Sequence, residues 1–188
     1  MPKPDVLIAA PLRVALIECY RAATRLATED VDVVAPPSVL TDFWEAIQAG
    51  APNFSLESDG KIAFDTPQGF RVRIDMIEIG SGCIERIHET VPFYEGAVTS
   101  MSDLLRLRAV TVVDRGSDGD RQDFRWLLSR VAEAGQILPK LNHQELKDVL
   151  GTEECLGRLD RLVLIAIIGP NNVAAALRLL STWGNTNF

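Results

Sequence analysis

Three carboxylates stand where carboxylates are costly. Asp30 and Asp32 lie two residues apart in Thr28-Glu29-Asp30-Val31-Asp32-Val33-Val34, and Asp75 lies 43 residues beyond Asp32 in Arg73-Ile74-Asp75-Met76-Ile77. Both segments are rich in branched apolar residues and read as strands. Residues i and i+2 of a strand point to the same face, so Asp30 and Asp32 project side by side. Carboxylates without partners are expensive to desolvate. A divalent cation with oxygen ligands satisfies such a group, and Mg²⁺, or Mn²⁺ in its place, suits it. The chemistry that needs this arrangement is phosphoryl or nucleotidyl transfer. There Asp30, Asp32 and Asp75 are the metal ligands and the catalytic carboxylates, with Asp75 also placed to act as a base toward an acceptor hydroxyl.

The elements that must position these residues follow from periodicity and punctuation. Arg13 to Ile17 reads as a short buried strand and Glu18 to Leu26 as a helix. Thr28 to Ala35 reads as a strand. After Pro36-Pro37, Ser38 is expected to cap a helix over Val39 to Ala49 that Gly50 stops. Phe54 to Glu57 and Lys61 to Asp65 flank Ser58-Asp59-Gly60, a hairpin signal. Phe70 to Ile79 forms the next strand. Val72, Ile74, Met76 and Glu78 share one of its faces; Arg71, Arg73, Asp75 and Ile77 share the other. Residues 84–95 read as short strand and loop. Ser102 is expected to cap a helix through Val112, and Asp120 to Ala134 forms a second amphipathic helix. Helices near 143–152, 155–168 and 171–182 complete the chain. Its character changes near residue 100. Residues 1–100 form an α/β (α+β) core with a small mixed, twisted sheet and flanking helices, and residues 101–188 form a helical half.

Composition narrows the function classes. At 188 residues and 47% hydrophobic content, the chain is long and apolar enough for a packed core. A net charge of −7 disfavours general nucleic-acid binding. Six arginines lie between Arg106 and Arg130, but interspersed acids make that stretch a salt-bridged helical face. No apolar run reaches membrane-span length. Neither a basic leader nor a cysteine framework is evident among Cys19, Cys83 and Cys155, so a reducing, cytoplasmic location is expected. Leu162 to Ile168 is apolar at every position and is expected to be buried in the helical half or in a homodimer. Trp44 and Trp126 are expected in the core.

The order of Asp-x-Asp strand, helix, hairpin and aspartate-bearing strand resembles the nucleotidyltransferase-fold superfamily. It is most similar to the small toxin-type nucleotidyltransferases of abortive-infection systems. Leu104-Leu105-Arg106-Leu107-Arg108, Asp114-Arg115 and Asp120-Arg121-Gln122-Asp123-Phe124 resemble a downstream segment of the same family. The resemblance covers residues 12 to about 130. It implies an enzyme that moves a nucleotidyl group from a nucleoside triphosphate to a hydroxyl of a small molecule, a protein or an RNA end. It also implies that Arg106 faces the triphosphate. Arg73, on the Asp75 face, is a further candidate for a phosphate or for one of the aspartates. The family's glycine-containing turn falls on Glu18-Cys19, so these two residues stand where backbone N–H groups normally receive phosphates. A glutamate there opposes a triphosphate. The alternative is therefore a protein of this fold without transferase activity. It would be a binding module, or its carboxylate pocket would be turned to a small metabolite.

Overall fold

The computed structural model describes residues 30–51, 53–65, 71–82, 84–93 and 96–184. The strand and helix expected over residues 13–26, with Glu18 and Cys19, lie outside the described residues. The architecture is mixed α+β: among the described residues, a four-stranded sheet, a two-stranded sheet and six α-helices. The described chain divides into two compact units. One holds the four-stranded sheet, and the other holds the described residues 88–90 and 99–184.

In the first unit, β1 (Asp30–Ala35) leads directly into α1 (Pro37–Gln48). Pro36, rather than Ser38, is the N-cap, and Pro37 occupies the first turn. There its missing N–H costs nothing and its fixed φ already suits a helix. Gly50, at φ 84°, ends the helix: its N–H donates to the Ile47 carbonyl, and Ala51 N–H donates to that of Ala46. β2 (Phe54–Leu56) and β3 (Ile62–Asp65) form an antiparallel hairpin closed by Glu57 N–H on the Lys61 carbonyl at 2.7 Å. Gly60, at φ 82°, supplies the left-handed turn residue. β4 (Arg71–Glu78) returns between β1 and β3, parallel to the former and antiparallel to the latter, giving the order β1-β4-β3-β2.

Alternation gives this sheet two unlike faces, although Ala63, on the charged side, is buried as well. Ile62, Phe64, Val72 and Ile74 are buried on one face, where Ile62, Phe64 and Ile74 pack with Phe43 and Ile47 of α1. Phe54 stands edge-on to Phe43 at 5.5 Å between ring centroids. Trp44 lies against the same cluster. The opposite face carries charge.

A short two-stranded sheet, β5 (Thr90–Phe93) and β6 (Gly96–Thr99), precedes the helical unit. That unit contains α2 (Met101–Asp114), α3 (Asp118–Glu133), α4 (His143–Gly151), α5 (Arg158–Ile167) and α6 (Pro170–Gly184). α2 packs on α3 and α4, α3 on α5, and α4 on α6. Ser100, not Ser102, caps α2. Its hydroxyl accepts from Asp103 N–H at 3.2 Å, while Ser102 is buried one turn inside with its hydroxyl 3.0 Å from that of Ser100. Leu105, Phe124, Leu128, Val131, Leu146 and Val149 lie at the centre of the core.

One apolar expectation is corrected here, and another is met on one face of a helix. Trp126 is 53% exposed, stacked beneath the Arg130 guanidinium at 5.5 Å. α5 is buried on one side only: Leu164, Ile167 and Ile168 are inside, whereas Leu162 and Ile165 are 57% and 65% exposed. A helix presents a full circle of positions, and a single layer of neighbours covers only an arc of it. Among the described residues, no helix is long and apolar enough to cross a membrane.

Candidate functional site

The charged face of the four-stranded sheet is built by register. β1 and β4 run parallel with Asp32 opposite Asp75 and Asp30 opposite Arg73. Neighbouring residues at the same level of adjacent strands point to the same side. The structure therefore brings Asp32 and Asp75 together as lateral neighbours. The antiparallel partner continues the row. Ala63 is opposite Arg73, so Lys61, two residues earlier, falls beside Asp75. Its ammonium is 3.1 Å from Asp75 Oδ1 and 3.4 Å from Oδ2. Glu57 lies across the hairpin from Lys61.

The rest of the face is occupied by ion pairs. Arg73 Nε donates to Glu57 Oε2 at 3.1 Å, so Arg73 is held by a hairpin glutamate rather than by any of the three aspartates. Arg71 Nε donates to Asp65 Oδ1 at 2.7 Å, and a second nitrogen lies 3.6 Å from Glu57. The Arg71 hydrogen bond holds the Asp65 carboxyl below the usual carboxylate range. Asp32 is exposed and the Asp75 side chain is 37% exposed, so this end of the face is solvated, whereas Ala63 and most of Glu57 are buried on the same face. Ion pairs there contribute little stability and exchange partners readily.

Hard cations bind through oxygen ligands. Carboxylate oxygens are the ligands such ions select, and the Lys61 ammonium already stands in a cation's place on Asp75. Among the described residues, which exclude the Asp30 side chain, no group of three His, Cys, Asp or Glu side chains is close enough to share a metal ion.

Arg106 belongs to the helical unit and is not presented to a substrate. It is 3% exposed, with Nε 2.8 Å from Asp103 Oδ1 and Nη1 3.3 Å from Glu145 Oε1. Arg106 meets buried carboxylates where the resemblance implies a triphosphate. Its position in α2 turns it toward α4, and two buried carboxylates take its donors. His88, which has no local catalytic signature in the sequence, joins the same cluster. Its Nε2 lies 3.1 Å from Glu145 Oε1, and the His88 and Glu89 N–H groups both donate to Asp103 Oδ2. Glu145 itself closes a capping box with Asn142 at the start of α4. Only that box had a local signal, an asparagine three residues before a glutamate. The ties of Glu145 to His88 and Arg106 span 57 and 39 residues of sequence.

The arginine-rich stretch is paired throughout its exposed part. Arg108 reaches Asp120 and Asp123, Arg115 reaches Asp120, Arg121 reaches Asp118, Arg125 reaches Asp160, and Arg130 reaches Glu133. Comparison of the chain with protein-family models, with curated proteins and with solved structures yields no match.

Proposed function

We propose that the charged face of the four-stranded sheet is a Mg²⁺-dependent nucleotidyl-transfer site, with Asp32 and Asp75 as its central carboxylates and Asp30 beside them. The observation that carries this reading is the register of β1 against β4, which makes Asp32 and Asp75 lateral neighbours. Two carboxylates on adjacent strands offer oxygen ligands from a rigid support, as hard-cation chemistry requires. When bound there, such an ion supplies charge neutralisation on phosphate oxygens. Asp75 accepts the proton of an acceptor hydroxyl as its oxygen attacks the α-phosphorus of a nucleoside triphosphate, and diphosphate leaves. Arg73, with its exposed guanidinium, contributes positive charge on the same face.

Thermal melts with Mg²⁺ or Mn²⁺ and each of ATP, GTP, CTP and UTP test the reading. A triphosphate at about a hundred times its Kd raises the stability of the native state by about 2.7 kcal/mol. Asp32→Asn and Asp75→Asn should each remove the metal-dependent part of the shift. If no triphosphate moves the melting temperature at any metal concentration, the transferase reading fails.

A second reading has its own observation. Lys61 on Asp75, with Glu57 between Arg71 and Arg73, balances charge within the sheet. A face balanced in this way suits a binding module of this fold without transferase activity, or a carboxylate pocket for a small metabolite. The same titrations separate the two, because this reading requires no shift with triphosphate.

A further inference from the structure

We infer that the outer face of α5 is a self-association surface, on which a second copy of this chain docks its own α5 antiparallel, across a two-fold axis at Leu162. This is independent of the nucleotidyl-transfer reading.

α5 is apolar on two sides. Leu164 and Ile167 face the core of the helical unit. Leu159, Leu162 and Ile165 are 76%, 57% and 65% exposed, and Ala166 is exposed as well. At about 100° per residue these four positions span an arc of about 120°, which is a complete second apolar face. Ile137 extends it. It is 49% exposed, and the neighbouring Leu138 N–H donates to the Ile167 carbonyl at 2.8 Å, which sets Ile137 beside the end of α5. A single exposed leucine is ordinary on a protein surface, whereas a continuous apolar stripe marks a contact.

Three features of this face select a second copy as the occupant. Leu159 and Ile165 each stand three positions from Leu162, so an antiparallel copy sets Leu162 on Leu162 and Leu159 on Ile165. A patch that matches itself in this way is what a two-fold contact requires. The same register brings Arg158, at the start of α5, opposite residue 166 of the other copy, at the carbonyl end of its helix. The negative end of the helix dipole favours a cation there. Finally, the charges at the rim are already satisfied within the chain. Asp160 faces Arg125 at 3.8 Å, and Arg161 Nε donates to the Glu153 and Leu156 carbonyls at 3.1 Å. Beyond Glu154 the sequence has one acid, Asp160, against Arg158, Arg161 and Arg178, so the net charge of −7 does not oppose this contact at close range. The exposed parts of Leu159, Leu162, Ile165 and Ile137 amount to roughly 400–500 Å² per copy. Two copies then bury about 1,000 Å², the lower limit of a specific interface, and a Kd on the order of 10 μM is expected.

The test is sedimentation velocity of the full chain at about 1–200 μM, which brackets that Kd. The wild type should pass from monomer to dimer as its concentration rises. Leu162→Glu and Leu162→Lys each oppose like charges on the axis and should weaken dimerisation by about tenfold or more. An equimolar mixture of the two variants should restore it, because opposite charges then meet. Arg158→Ala should weaken it by about two- to five-fold. Far-UV circular dichroism and thermal melts establish that each variant is folded. A wild type that stays monomeric overturns the inference, and so does a dimer that both Leu162 variants leave intact. Weakening by both variants without rescue in the mixture overturns the two-fold register at Leu162. With a monomeric wild type, binding to phosphatidylcholine vesicles that Leu162→Glu abolishes would assign the face to a lipid surface. A melting temperature lowered by Leu162→Glu would assign it to another segment of this chain.

Discussion

The donors of Arg106 are directed inward, and that decides what its removal will do. Its guanidinium lies between Asp103 and Glu145, all three nearly inaccessible to water. Removing one member of a buried ion-pair group leaves the others desolvated and uncompensated, which costs about 3–5 kcal/mol. Arg106→Ala should therefore lower the urea midpoint of the helical unit by a corresponding amount. Unchanged stability together with weakened triphosphate binding would instead return Arg106 to a substrate role. The contrast with Lys61 lies in exposure. The same two chemical groups, a cation and a carboxylate, form a structural tie where water is excluded and an exchangeable pair where it is not. Spacing along the chain does not distinguish these cases.

The helix termini show the same division between local and distant causes. Ser117 caps α3: its hydroxyl accepts from Asp120 N–H at 3.2 Å and donates to Asp120 Oδ2 at 2.6 Å. That hydrogen bond, opposed by burial and aided by Arg115 and Arg108, holds the Asp120 carboxyl below the usual carboxylate range. A carboxyl depressed in the native state stabilises the fold above its unfolded pKa of about 3.9, and that contribution is lost as the pH falls through the native value. Ser117→Ala should thus cost about 1 kcal/mol near neutrality for the lost cap. The gap from wild type should narrow in acid, as urea melts at about pH 7 and pH 3 would reveal. A gap independent of pH would mean that the hydroxyl acts on the backbone alone. The sequence reading starts this helix at Asp120 and names no cap, whereas Ser117 caps it from Asp118. The arginine contacts to Asp120 were legible only as a general tendency of that stretch to pair.

On the scale of the whole molecule, the described chain has two large hydrophobic centres and a small one at Val31 and Val72. Of the large centres, one joins α1 to the sheet through Phe43, Ile62, Phe64 and Ile74, and the other joins the helices through Leu105, Phe124, Leu128 and Val131. Phe43 and Phe124 are 2% and 1% exposed, and truncating either to alanine should cost about 3–5 kcal/mol. Hydrogen exchange should locate the damage. Phe43→Ala is expected to deprotect amides of β1, α1 and β4, and Phe124→Ala those of α2 to α4. Deprotection of both sets by either variant would mean that the two centres unfold as one. The sequence by itself determined the elements that depend on neighbours along the chain. The alternation in Arg71 to Glu78 dictates one apolar and one charged face, Asp59-Gly60 dictates the hairpin, and Gly50 dictates the end of α1. The tertiary structure alone decided which faces meet. It set β4 between β1 and β3, put Asp32 beside Asp75, brought Lys61 to Asp75 and Glu57 to Arg73, and buried Arg106 with Glu145. The physical reason is range. Dihedral preference and periodicity act over a few residues, whereas strand order, register and the desolvation of a charge depend on residues tens of positions apart.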